Sequence, residues 1–415
     1  MEATGLLDGD AYVTVKYFNR WIMLALFCLL EMGNALLWVS YAPISDITQH
    51  YFGSSPYSSV TAVNMFANVF LIFYGPGTVF ASFSMKMYGL KNSLILGGIL
   101  TAVGALLRVF AAAYHDKIGE QSTYFLMLLG QTLASIAQPV FLNMPPVIAS
   151  TWFPVDERDF TTSIGAVCSP IGNAIGSILP VLFVTETETA LADGEIEYTV
   201  HGMTTSMTVQ FVLCLIPLLL MVFFIEAPPT APSRSTHMKG NANPKKTTQS
   251  ENDDHGDIVS EKESKAKCTV NIANDKAWVV LLQECGVLFH DKNFVLLLSS
   301  FSIGSGFFCA VLTLINQLIE PLGYSNSQAG ALSVVFVVSG IIGAVVMGRL
   351  MERWKAYRMI LKAENWLIFV CSVWFLTMLF SDNFWPLLIS FGALGFFLVP
   401  LVPVSMTVCA ECTYP

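Results

Sequence analysis

Ten apolar runs, each long enough to cross a bilayer as a helix, constrain this chain more than any other feature. They lie near residues 21–43, 62–83, 93–114, 123–147, 162–184, 207–226, 293–319, 328–348, 359–380 and 384–408. The hydrocarbon core of a membrane is about 30 Å thick and takes about 20 helical residues to span. No water reaches backbone polar groups there, and a helix satisfies all of them within one segment. An all-α polytopic membrane protein is the expected fold class. The composition agrees, because 54% of residues are hydrophobic and 12% charged, against roughly 25% charged in soluble domains. A water-soluble enzyme is excluded.

The net charge of -9 comes from acids grouped in two loops, and no basic patch points to nucleic acid. Cys28, Cys168, Cys214, Cys309 and Cys371 stand inside apolar runs, where thiols behave as small hydrophobes. They imply no disulfide framework. Cys409 and Cys412 form one C-x-x-C, too little for a zinc site. No metal and no cofactor are expected. The first run follows Arg20 directly, and the polar, acidic residues before it show no cleavage pattern, so the N-terminus is expected to be retained.

With that N-terminus in the cytosol, 19 of the 21 Lys and Arg fall on the inner side, the bias the positive-inside rule requires. Only Arg108 and Lys117 fall outside. Residues 227–276 contain almost no large apolar side chains and are expected to form a cytosolic linker, followed by an amphipathic stretch around 278–289 at the membrane face. The expected organisation is a six-helix bundle over 1–226, a linker over 227–292 and a four-helix bundle over 293–415. The loop at 185–205, with Glu186, Glu188, Asp193, Glu195 and Glu197 and no Lys or Arg, is expected to be solvated, or else to concentrate cations near an entrance.

An internal repeat links the two bundles. Gly77 to Lys91 reads GTVFASFSMKMYGLK and Gly343 to Tyr357 reads GAVVMGRLMERWKAY, with Gly348, Glu352 and Arg353 in the second copy. This resembles the cytoplasmic loop signature of the major facilitator superfamily. The resemblance implies a major facilitator fold and a cytosolic gate, in which a glycine lets helices approach and charges bridge their ends. Gate residues would be Lys86, Gly348, Glu352 and Arg353, with Lys86 standing where the first copy should carry an acid. The superfamily has twelve helices, so the C-terminal half is expected to be incomplete, with ten helices present and a truncation after Glu411–Pro415.

Polar residues inside the runs carry the functional signal, because such groups face a cavity or a partner. Glu31, Asn34 and Trp38 share one helix face. Asn34 is open to an interhelical bond, Trp38 to an interfacial belt position, and Glu31 to either proton or cation coupling or a bond to a neighbouring helix. Gln131 and Gln138 share a face of the fourth run. Gly165, Gly172 and Gly176, with Ser169, form a small-residue face for tight packing. Thr313, Asn316 and Gln317 add a hydroxyl and two amides to a central cavity. Arg108 is given no role.

Asn34 to Ser45 and Gly130 to Gln138 are similar to the feline leukaemia virus subgroup C receptor-related transporters, as are Asp291 to Phe294, Thr313 to Gln317 and Glu411 to Pro415. The resemblance implies movement of choline and ethanolamine, with haem export also attributed to the family, and an aromatic cage around the ammonium. Asn34, Trp38 and Gln138 match that site. Cys309 replaces its tyrosine, with Phe307 and Phe308 beside it, at a cost of about 0.5–2 kcal/mol of cation–π attraction. The leading expectation is a monomeric alternating-access transporter in a lipid bilayer, taking a small organic solute at the plasma membrane, with an organelle membrane as the alternative. A haem transporter and a non-transporting receptor or sensor are the other readings. An intramembrane enzyme would need a catalytic pair or metal cluster, which Glu31 with amides does not supply.

Overall fold

Backbone hydrogen bonds and apolar length dictate helices, and the computed structural model shows them. It describes residues 19–53, 55–154, 157–190, 196–223, 289–354, 357–380, 383–405 and 408. The expected linker, all but the end of the amphipathic stretch, and Cys409 and Cys412 lie outside these residues. Twelve helices are described: α1 (Asn19–Val39), α2 (Ser45–Tyr51), α3 (Val60–Ile72), α4 (Tyr74–Ala113), α5 (His115–Leu142), α6 (Pro145–Trp152), α7 (Arg158–Phe183), α8 (Met203–Phe223), α9 (Lys292–Ile319), α10 (Asn326–Trp354), α11 (Tyr357–Leu379) and α12 (Phe384–Leu398).

Among the described residues, nine helical segments are long and apolar enough to cross a membrane. One of them, Val60–Ala113, has 54 residues and would measure about 80 Å if straight. It folds back instead. Ser84 Oγ donates to Ser93 Oγ at 2.8 Å, although residues nine apart on a straight helix are separated by roughly 13 Å. The reversal is at Gly89, whose φ of 76° is open to glycine without the Cβ penalty other residues meet. The segment therefore accounts for both expected runs at 62–83 and 93–114.

Small residues set how the crossings pack, since lipid supplies no hydrophobic drive and close contact must hold helices together. On α4, a Cβ at Gly77 would stand 2.9 Å from the Ile136 carbonyl oxygen of α5. On α7, a Cβ at Gly172 would stand 2.6 Å from the Met32 oxygen, and one at Gly176 2.8 Å from the Leu36 Cα. The glycine face read from the sequence thus seats α7 on α1. On the other side of the molecule, Gly340 of α10 lies against Val399 and Gly343 against Phe396. The apolar window of α1 is 72% buried and that of α9 only 11%, so α1 is central and α9 largely uncovered.

Arg108 is buried near the end of α4. Its guanidinium donates to Ser40 Oγ at 2.9 Å, Gln210 Oε1 at 3.0 Å and Tyr41 Oη at 3.3 Å, and lies 4.9 Å from the Tyr41 ring. It joins α1, α4 and α8. At the opposite end of α1, Arg20 pairs with Glu157, just before α7, at 3.0 Å.

The acidic loop corrects an expectation. It is an antiparallel hairpin, β1 (Thr185–Ala190) with β2 (Ile196–His201), in which Thr185 faces His201 and Ala190 faces Ile196. Alternating Thr and Glu, answered by Ile, Tyr and Val, fits the period of two and the β-branched preference of strands. The hairpin docks on α2. His50 Nδ1 lies 2.9 Å from Glu186 Oε2, and its ring stacks on Tyr198 with centroids 3.9 Å apart.

Candidate functional site

The helices before and after residues 224–288 meet along one apolar seam. A single buried cluster contains Leu37, Trp38 and Phe70 from the first set and Leu312, Ile315, Phe336 and Phe391 from the second. Toward the hairpin, this seam ends in polar side chains that cross it. Asn316 donates to Ser45 Oγ at 3.2 Å and to Asp46 Oδ1 at 3.1 Å. Asn326 donates to Asp46 Oδ2 at 3.0 Å. Asn64 and Gln317 form a reciprocal amide pair at 3.1 and 2.6 Å. Asn316 and Gln317 are expected to line a solute cavity. Here they fasten one set of helices to the other.

Trp38 is buried within the seam cluster, and its indole Nε1 has no hydrogen-bond partner among the described residues. A belt position at a membrane surface would leave that N–H in water, so the belt alternative falls away. Asn34 is buried one turn back, with Nδ2 bonded to Thr101 Oγ1 at 3.0 Å and to the Ala134 oxygen at 2.9 Å. Both amide protons are engaged inside the first set of helices, which is the interhelical bond left open by the sequence. Gln131 likewise donates to the oxygens of Leu37 and Phe66, at 3.1 and 3.2 Å, while its own Oε1 is buried without a partner. Gln138 is buried on the same face of α5, two turns further on.

Phe308 and Cys309 are half-buried and pack on the seam cluster. Phe308 lies 5.9 Å from Phe336, which lies 4.8 Å from Phe391, itself 5.0 Å from Phe375. This aromatic chain runs inward from Phe308, beside the Cys309 position where the resemblance places a tyrosine. The sequence gives no sign of it, because Phe336, Phe375 and Phe391 are ordinary members of apolar runs.

Glu31 is 2% exposed, and neither carboxyl oxygen has a hydrogen-bond partner. Its bond to a neighbouring helix is therefore absent among the described residues. Glu364 on α11 repeats the pattern at 0% exposure, again with both oxygens unpartnered among the described residues. The signal in the sequence was one acid inside the run at 359–380, which is costly in hydrocarbon unless it has a purpose.

The expected gate is less compact. Lys86, Gly348 and Arg353 are exposed, and the side chain of Glu352 lies outside the described residues. A Cβ on Gly348 would meet nothing within 4 Å among the described residues, so no close approach between them depends on this glycine. The tight positions on α10 are Gly340 and Gly343, which face α12 instead of the loop. A groove of about 640 Å³ opens between α9 and α11, lined by Leu296, Arg358, Lys362, Asn365, Trp366 and Phe369 among others. It lies off the seam, and none of the expected solute-site residues borders it.

Two sets of membrane-crossing helices joined at an apolar seam, with acids and amides buried inside, define a membrane transporter. The chain belongs to the Major Facilitator Superfamily, whose model matches residues 22–414. It is 27% identical over 410 residues to solute carrier family 49 member A3 of Xenopus tropicalis, covering 98% of this chain and 74% of that protein. It is 28% identical to the choline/ethanolamine transporter FLVCR1 of Felis catus, covering 100% of this chain and 66% of that one. In fold it is similar to a D-xylose-proton symporter, with a TM-score of 0.61 at 14% identity, covering 95% of this chain and 83% of the other.

Proposed function

We infer that this transporter carries choline or ethanolamine, binding it at the seam against Trp38. The observation that carries the reading is the Trp38 indole, buried between the two sets of helices with its N–H unpartnered among the described residues. A buried donor without an acceptor costs about 1–3 kcal/mol, and a solute hydroxyl oxygen would satisfy it. The same indole presents a ring face that attracts an ammonium, by about 2 kcal/mol when water is excluded. One residue thus offers a complement to both ends of a hydroxyethyl ammonium. The name of the feline relative supports the same solute class.

In this reading Phe308, beside Cys309, supplies a second apolar wall, Gln138 a polar contact, and Asn34 a brace that fixes the turn before Trp38. Glu31 is the counter-charge or proton site one turn deeper. Lys and Arg crowd the side opposite the hairpin, so the hairpin faces outward and the N-terminus the cytosol. The bonds made by Asp46, Asn64, Asn316, Gln317 and Asn326 then close the outer face, and alternating access opens it.

Uptake of labelled choline and ethanolamine into cells displaying the chain tests this. Saturable uptake is expected, with Trp38→Ala lowering it at least tenfold and Trp38→Phe retaining part of it through the ring face. Equal uptake by Trp38→Ala and the unaltered chain would overturn the assignment. Binding of either solute without net flux would favour a receptor.

A further inference from the structure

Two cysteines that stand far apart in the sequence meet in the fold. Helices α1 and α7 run side by side, with Leu36 facing Gly176 and Met32 facing Gly172 at the close approaches given above. One turn back along both helices, the facing residues are Cys28 and Cys168. Cys168 and Cys28 are electrostatic neighbours, and the Cys168 thiol donates to the Ile164 oxygen at 3.2 Å. Both thiols are free, Cys168 buried and Cys28 only half-buried. A disulfide needs Cα atoms roughly 4.4–6.8 Å apart. Helices usually pack with axes 8–10 Å apart, and the backbone approaches at Gly172 and Gly176 show α1 and α7 in close contact along this face.

We propose that Cys28 and Cys168 are a redox pair, closed to a disulfide by a peroxide and reopened by a dithiol. The sulfur of Cys28, the more open thiol, attacks one oxygen of hydrogen peroxide. The O–O bond breaks, the departing hydroxide takes the thiol proton as water, and Cys28 becomes a sulfenic acid. Cys168 then attacks that sulfur. The S–S bond forms, the S–O bond breaks, and the hydroxyl leaves as a second water with the Cys168 proton. Two thiols are oxidised and one peroxide is reduced to two waters. A dithiol reverses the step by exchange and becomes a disulfide itself.

The bond would join two helices with different duties. α1 carries Glu31 and Trp38. α7 meets the second set of helices where a Cβ on Gly330 of α10 would stand 3.5 Å from the Ser177 oxygen. Oxidation therefore ties the helix of the proposed solute site to the helix that borders the seam, and any rearrangement between them during transport is stopped.

The full chain, purified in detergent, is treated with hydrogen peroxide, denatured, alkylated, digested and analysed by mass spectrometry. The expected product is a Cys28 peptide linked to a Cys168 peptide, lighter by two hydrogens than the pair and separated again by dithiothreitol. Cys28→Ala and Cys168→Ala each abolish the link. Full alkylation of both thiols after peroxide, linkage to another cysteine, or over-oxidation of Cys28 with Cys168 still alkylated would each overturn the proposal. Uptake is measured alongside. A severalfold fall with peroxide, restored by dithiothreitol and absent in Cys28→Ala, supports the coupling to transport, and unchanged uptake by the oxidised chain overturns it. The linked peptide is read without any solute, so failure of the choline reading leaves this test intact.

Discussion

Asp46 is the residue through which closure of the hairpin face can be measured. Its two carboxylate oxygens accept from Asn316 at 3.1 Å and from Asn326 at 3.0 Å, so one side chain at the start of α2 holds both the end of α9 and the start of α10. A hydrogen bond to a charged group contributes about 1.5–3 kcal/mol. Both bonds are only partly buried, so the lower figure applies and together they favour the closed arrangement by about 3 kcal/mol. At 1.4 kcal/mol per factor of ten, Asp46→Ala should raise the open population roughly 150-fold. Ser333 reports this well, because it is 0% exposed on α10 within two turns of Asn326, and Ser333→Cys changes a single atom. A charged, membrane-impermeant thiol reagent applied from the hairpin side should label Ser333→Cys roughly 100-fold faster when Asp46→Ala is also present. Asp46→Asn, which keeps one acceptor, should give a rise of about tenfold. Labelling rates that agree within twofold, with and without Asp46→Ala, would refute the idea that these bonds hold the face shut.

Gly176→Leu should cost about 3 kcal/mol or more through collision with the α1 backbone, seen as loss of monodisperse protein in size-exclusion chromatography. Gly348→Ala, which enters open space, should leave stability in thermal melts unchanged or raise it by about 0.5–1 kcal/mol through helix propensity. Arg108→Lys keeps the charge but loses the planar fork that reaches Ser40, Tyr41 and Gln210 together, and should lower stability by about 2 kcal/mol in thermal melts. Gly89→Ala should cost about 1–3 kcal/mol, because φ there is 76°, and reduced thermal stability of the purified chain would show it.

The crossings and the small-residue face of α7 were legible because each depends on local spacing. Twenty apolar residues are a helix in lipid whatever surrounds them, and Gly165, Gly172 and Gly176 fall on one side of any helix. What escaped depends on the register between distant segments. Asn316 and Gln317 look alike in the sequence whether they line a cavity or cross a seam, and only the arrival of Asp46 and Asn64 decides it. Cys28 and Cys168 are ordinary apolar positions until Gly172 sets the spacing between α1 and α7. The hairpin at 185–201 was hidden by its charge, since alternating Glu disguises the alternating Thr that makes strands. Gly348 matched a motif, yet a motif gives the residue type and not the neighbour, and among the described residues no neighbour is there.

The reciprocal pair of Asn64 and Gln317 has an electrical consequence. Each amide gives one proton and takes one, so this clasp forms and parts without moving net charge. Salt screens charged contacts over a Debye length of about 8 Å at physiological strength, and a membrane potential acts only on charge that moves through it. This clasp should therefore release as readily in a polarised cell as in a depolarised one. Any dependence of transport on voltage must then come from charge elsewhere, on the solute or on an ionised side chain such as Asp46.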